Sequence, residues 1–118
     1  MVVLNDADLD IAVSCAVNGA FYSTGQRCTA SSRLIVEEGI HDDFVAALTK
    51  ATQSLRVGDP SEDATQIGPV VDQSQLDQNM EYIRVGKEEG ATLVTGGELL
   101  DLSRLFIPLR KSTISRHR

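Results

Sequence analysis

The chain has 118 residues, which is enough for one small domain with a single hydrophobic core. Its hydrophobic share of 42% and its charged share of 24% are those of a soluble globular protein. No apolar run approaches the length of a membrane span, and the first residues lack the basic flank of a signal peptide, so we expect no membrane partner.

The net charge of −6 hides an uneven distribution of charge along the chain. Residues 1–102 hold all 17 acidic residues and six of the 11 Lys and Arg residues, whereas residues 103–118 hold five basic residues and no acid. Because an acidic body does not attract a polyanion, we expect no nucleic-acid partner. Two cysteines without a secretion signal favour reduced thiols and a cytoplasmic location.

The first predicted elements are a helix and a strand. Asn5 or Asp6 is predicted to cap a helix over residues 9–21, which is apolar on nearly every side and is therefore expected to be buried. Gly25 is placed to end it. Residues 33–37 then form a predicted strand, whose continuous apolar centre suits a sheet that is covered on both faces.

The second half of the chain continues the alternation of helices and strands. Glu38-Gly39 is predicted to be a turn, and it is followed by helices over residues 42–55 and 73–89 and by a strand over residues 91–95. The order helix, strand, helix, helix, strand is that of a layered α/β domain. Since two strands do not make a stable sheet alone, we expect the chain to be part of a larger sheet.

Cys28 is the residue best placed for chemistry. It follows a glycine-broken turn at the end of an apolar helix, in the run Gly25-Gln26-Arg27-Cys28-Thr29-Ala30. A thiolate there can act as a nucleophile, and free N–H groups of the turn can stabilise the oxyanion formed by its attack on a carbonyl. The alternative, which position alone favours, is a buried structural cysteine. Cys15, in the middle of the apolar helix, is predicted to be a core residue.

The histidines and glycines give no further site. His41 precedes two acids at a helix start and is interpreted as a solvated residue near the cap, and His117 lies in the irregular end of the chain. Neither is at metal-ligand spacing from a cysteine, so we expect no metal site. No glycine-rich phosphate-binding motif occurs.

Several motifs resemble the aldehyde dehydrogenase superfamily. The run Phe21–Val36 (FYSTGQRCTASSRLIV) resembles its active-site cysteine segment, and Val2–Asp10 is similar to the stretch before that segment. Further similar runs follow in the family's order and spacing, namely Val57–Pro60, Gln66–Val70, Gly86–Ala91 and Gly96-Gly97. Within the superfamily, the sequence around Cys28 most resembles bacterial 2-oxoglutarate semialdehyde dehydrogenases.

The resemblance implies a fold, a reaction and two site residues. The implied fold is α/β, a partial three-layer parallel-sheet domain over residues 1–98, as a fragment of the aldehyde dehydrogenase catalytic domain. Cys28 matches the family nucleophile. The family reaction oxidises an aldehyde to a carboxylic acid with NAD or NADP, through a thiohemiacetal and a thioester. Gln75 matches a position that lies near the nicotinamide ribose in many members, and its alternative is an ordinary exposed helix residue.

The chain also departs from the family pattern. The family's cofactor-binding domain, activating glutamate and oxyanion-hole asparagine belong to upstream segments, so the chain is expected to be truncated and inactive alone. Residues 99–118 are predicted to be a divergent basic tail, either frameshifted or disordered. Family members are homo-oligomers, and this chain is expected to self-associate through exposed sheet edges.

Two rival functions stay open at this point. One is a non-catalytic structural or interaction remnant that associates with a full-length relative. The other is a thiol enzyme without a nucleotide, such as an esterase that uses Cys28 alone.

Overall fold

The computed structural model describes residues 1–100, 109–110 and 114–116. The chain divides into two compact units, Met1–Leu55 and Arg56–Arg118. Most of the predicted basic tail, including His117, lies outside the described residues. The predicted boundary at residue 98 therefore stays a prediction.

The first unit combines two helices with a two-stranded parallel sheet. Its elements are β1 (Val2–Val3), α1 (Leu9–Ala20), β2 (Ile35–Val36) and α2 (Glu38–Gln53). Val2 lies opposite Ile35 and Val3 opposite Val36 in parallel register. The predicted α/β class with parallel strands is confirmed, although β1 itself was not predicted.

One side of α1 is buried and the other is open. α1 packs against α2, and its buried residues are Ala12, Ala16 and Val17. Ile11 is 64% exposed, so the prediction that this helix is buried rather than half-exposed is wrong. Cys15 is also exposed, and its prediction as a core residue is wrong because it lies four residues after Ile11 and shares its helix face.

Both helix starts in this unit differ from the prediction. The carboxylate of Asp8 accepts a hydrogen bond from the Ile11 N–H at 3.0 Å, so Asp8 caps α1 in place of Asn5 or Asp6. α2 begins at Glu38, four residues early, and the predicted turn at Glu38-Gly39 is wrong. A contact distant in sequence marks this start, because the Glu37 carboxylate accepts the Asn5 N–H at 2.5 Å.

The sheet of the first unit leaves one face uncovered. Val3 is 2% exposed, whereas Val2 and Leu4, which point to the other side, are 62% and 51% exposed. Ile35, opposite Val2, is 64% exposed. The expectation that this strand is covered on both faces is therefore wrong for the described chain. We call Val2, Leu4 and Ile35 the open sheet face.

The second unit contains one long helix and short antiparallel strand pairs. Its elements are α3 (Gln73–Glu88), β3 (Thr92–Thr95), β4 (Leu99–Leu100), β5 (Leu109–Arg110) and β6 (Ile114–Arg116). β3 pairs with β6 and β4 pairs with β5. The predicted bounds of α3 and β3 are confirmed to within one residue. Buried apolar side chains of this unit are Ile67, Val70, Leu76 and Ala91.

A search of the described residues for a helix that is both long enough and apolar enough to cross a membrane finds none.

Candidate functional site

The chain leaves α1 through a left-handed turn of three residues. Ser23, Thr24 and Gly25 have φ angles of 55°, 56° and 72°, a region that Ser and Thr rarely adopt. The turn is held by the Gln26 N–H, which donates to the Ser23 carbonyl at 2.9 Å. The sequence predicts a break at Gly25 alone, whereas the structure places the reversal over three residues.

Gly25 is required at its position for two reasons. Its φ of 72° lies where a Cβ is disfavoured, and a Cβ built there would lie 2.9 Å from the Ala20 carbonyl oxygen. Any larger residue therefore strains the backbone and presses on the last turn of α1.

Cys28 lies at the corner of a tight turn that follows. The Ala30 N–H donates to the Arg27 carbonyl at 3.0 Å, which closes a four-residue turn with Cys28 and Thr29 in its middle. The Cys28 thiol is free and exposed, so the buried alternative is not what the structure shows. We call residues 27–30 the cysteine turn.

The amide of Cys28 is available for a ligand. Among the described residues, the Cys28 N–H meets no hydrogen-bond acceptor. An exposed thiol and an unengaged N–H on the same residue are the pair of groups that attack on a carbonyl needs.

The cysteine turn is attached to the C-terminal end of α1 on both sides. Before Cys28, the Arg27 guanidinium donates to the Asn18 carbonyl. After it, the Ser31 N–H donates to the Gly19 carbonyl at 2.8 Å. Both acceptors belong to the last turn of α1, whose carbonyls the helix itself leaves largely unpaired. Sequence reasoning missed this attachment, although a basic residue soon after a helix end is a known signal for it.

Gln75 lies in the first turn of α3. Its N–H donates to the carboxylate of the capping residue Asp72 at 2.8 Å. Its half-buried side-chain amide donates to Gln78 and Asn79, each at 3.3 Å. Its side-chain oxygen has no donor among the described residues and can accept a hydroxyl. Gln75 belongs to the second unit and Cys28 to the first.

Two further charged contacts are between residues close in sequence. His41 Nδ1 lies 2.8 Å from the carboxylate of Asp42 near the start of α2. On α3, the hydrogen bond from Arg84 lowers the pKa of Glu81 below its ordinary value. Within residues 1–100 and the described strands that follow, no group of His, Cys, Asp or Glu is arranged to hold a metal ion.

These observations define an α/β domain segment that presents a thiol on an anchored turn at the end of a helix. The model of the aldehyde dehydrogenase family matches residues 1–108. The chain belongs to this family.

Relatives in sequence and in structure agree on the family. The chain is 47% identical to betaine aldehyde dehydrogenase of Sinorhizobium fredii over 97 residues, which are 82% of this chain and 20% of that protein. It is 44% identical to alpha-ketoglutaric semialdehyde dehydrogenase of Bacillus subtilis over 101 residues, 86% of this chain and 21% of that one. The chain therefore spans about a fifth of the length of these relatives, and they support the family without separating its subfamilies.

A solved structure gives the same result. Betaine aldehyde dehydrogenase from Staphylococcus aureus, in complex with NAD+, superposes with a TM-score of 0.91 at 32% identity. The match covers 97% of this chain and 23% of the other.

Replacing Gly25 tests the geometry before the cysteine turn. We expect Gly25→Ala to lower the free energy of unfolding by about 1–3 kcal/mol, because it combines a positive φ with a steric clash. Urea denaturation followed by circular dichroism measures the loss. Gly90→Ala is the matched control, since Gly90 has a φ of 92° but no heavy atom within 4 Å of a built Cβ. It should cost less than Gly25→Ala, and equal losses would contradict the clash.

Proposed function

We propose that Cys28 is the nucleophile of an aldehyde dehydrogenase that oxidises an aldehyde to a carboxylic acid with NAD or NADP. The observation that carries the proposal is the exposed Cys28 on an anchored turn with its own N–H unengaged, in a chain of this family. Exposure alone does not single it out, because Cys15 is exposed as well. The turn does, since Cys15 lies within the regular backbone of α1.

The first step is addition of the thiolate to the aldehyde. A bond forms between Cys28 Sγ and the carbonyl carbon, and the π electron pair moves to the oxygen. The Cys28 N–H can donate to the resulting oxyanion, which is negatively charged only after attack, so the bond strengthens as the reaction proceeds. The product is a thiohemiacetal on Cys28.

The second step is oxidation and release. A hydride leaves the former carbonyl carbon, the C=O bond forms again, and Cys28 then carries a thioester. Water adds to that thioester and expels the thiolate, which gives the carboxylic acid. A nicotinamide cofactor, when bound, supplies the hydride acceptor. On this chain, the side-chain oxygen of Gln75 suits a ribose hydroxyl, because its amide group already donates to Gln78 and Asn79.

The proposal assigns the chain one part of the reaction. The relatives it matches are about five times longer, since it covers 20% of the first of them. We therefore attribute general-base catalysis, and the cofactor contacts other than that of Gln75, to family segments outside these 118 residues, and expect no turnover from the chain alone. Two free thiols suit the predicted reducing, cytoplasmic location.

A second candidate function is an interaction remnant that associates with a full-length relative. The open sheet face favours it, because Val2, Leu4 and Ile35 together expose apolar area on one side of a parallel pair. Parallel sheets usually have both faces covered, and a partner would cover this one. The same face would also support self-association.

A chimera tests the catalytic proposal. Residues 1–98 replace the matching segment of the Sinorhizobium fredii enzyme, and NADH formation is followed by absorbance. We expect Cys28→Ser to lower the rate by at least about 10³-fold, because the nucleophile is lost. Cys15→Ser is the control and should stay within about twofold, as a surface change outside the site.

The unfused chain should form no NADH from aldehyde and NAD+. NADH formation by the chain alone would contradict the proposed division of roles. An active Cys28→Ser chimera would contradict the nucleophile itself.

The same chimera tests Gln75. We expect Gln75→Ala to raise the KM for the nicotinamide cofactor about 5–10-fold, the effect of one lost hydrogen bond. Gln73→Ala, in the same helical turn, is the matched control and should leave that KM unchanged. Equal KM values for the two variants would overturn the assignment of Gln75.

Gel filtration of the purified chain tests the open sheet face. We expect the chain to elute as an oligomer, and Ile35→Lys to shift it towards the monomer, because a charge opposite Val2 is costly to bury. Tyr82→Lys is the control, since Tyr82 is 70% exposed on α3, in the other unit. If all three proteins elute alike, the open sheet face does not mediate association.

A further inference from the structure

We propose that Arg27 is a positioning residue, which fixes the cysteine turn by donating its guanidinium to the Asn18 carbonyl. The proposal rests on the proposed role of Cys28 as the nucleophile. Arg27 precedes Cys28 directly, so its anchor lies a single residue from the thiol.

The hydrogen bond from Arg27 to Asn18 is favoured by the chemistry of both its donor and its acceptor. A guanidinium bond to a carbonyl is charge-assisted and therefore stronger than a neutral one. Its acceptor belongs to the last turn of α1, where the helix dipole concentrates negative charge and favours a cation. The bond to Asn18 thus joins two residues that are nine positions apart in the sequence.

The anchor adds to two backbone hydrogen bonds that hold the cysteine turn and its far side. Inside the cysteine turn, a single backbone hydrogen bond, from Ala30 to Arg27, closes the structure. The far side is fixed by the Ser31 N–H on Gly19. Loss of the Arg27 guanidinium would remove the attachment to α1 that lies directly beside Cys28.

Arg27 therefore acts on Cys28 through geometry. Its guanidinium is engaged by a carbonyl of α1, and what it fixes is the relation between the thiol and the unengaged Cys28 N–H. Small displacements of a reacting group cost large factors in rate, so a fixed turn raises the reactivity of the thiol.

Alkylation of the full 118-residue chain with iodoacetamide tests the proposal, with rate constants for Cys28 and Cys15 measured together by peptide mass spectrometry. In the unmodified chain, Cys28 should react faster than Cys15. Arg27→Met should slow Cys28 about fivefold, the size of effect that one lost hydrogen bond produces. Arg27→Lys keeps a donor of similar reach and should restore at least half of the rate.

Two internal controls separate positioning from other effects. Cys15 should keep its rate in every variant, which reports that the fold is intact. Arg33→Met removes an arginine of the same segment whose side chain has no hydrogen bond among the described residues, and it should leave Cys28 unchanged. If Arg33→Met slows Cys28 alkylation as much as Arg27→Met does, the anchor is overturned in favour of a general effect of charge.

The remaining outcomes separate the two proposals. Equal rates at Cys28 and Cys15 in the unmodified chain would contradict the nucleophile, and the role of Arg27 would fall with it. A fast Cys28 that Arg27→Met leaves unchanged would overturn the anchor alone. A change in the alkylation rates of both cysteines together would also overturn the anchor. So would an Arg27→Lys variant that reacts as slowly as Arg27→Met.

Discussion

The carbonyl groups at the C-terminal end of α1 are the acceptors on which the arrangement of the candidate site depends. Asn18 receives the Arg27 guanidinium and Gly19 receives the Ser31 N–H, so two consecutive carbonyls hold the two ends of the cysteine turn. Their position is fixed in turn by the packing of α1 on α2. The chemistry proposed for Cys28 thus rests on how one helix ends, and that end rests on a hydrophobic contact between two helices.

Sequence patterns predicted most of the helices and strands but not which of their faces other elements cover. The periodicity of α3 predicted its bounds almost to the residue, because an amphipathic face is a local signal. The apolar composition of α1 gave a helix but misplaced Cys15, because hydrophobicity does not say which side another element covers. β1 escaped prediction because a two-residue strand is too short for any period.

For the candidate site too, local sequence signals were easier to interpret than contacts between residues distant in sequence. Cys28 could be singled out as a candidate, since a glycine after a helix and a family motif are both readable along the chain. A basic residue after the helix end indicates that Arg27 can bind a carbonyl of α1, but it does not identify Asn18 as the partner, because the backbone between residues 18 and 27 has to be placed before the two meet. The positive φ angles of Ser23 and Thr24 could not be predicted either, since their residue types do not favour that conformation.

The cysteine turn also belongs to a larger loop, the connection that carries the chain from β1 through α1 back to β2. Parallel strands can be joined only by such a crossover, and this one is closed by two short strands. The Ile35 N–H donates to the Met1 carbonyl, and the Glu37 N–H to that of Val3, so the first residues of the chain hold the return limb. If these bonds open, the connection loses its far support while α1 stays intact. Local opening of the β1–β2 pair is therefore a route by which the surroundings of the Cys28 thiol can change without global unfolding.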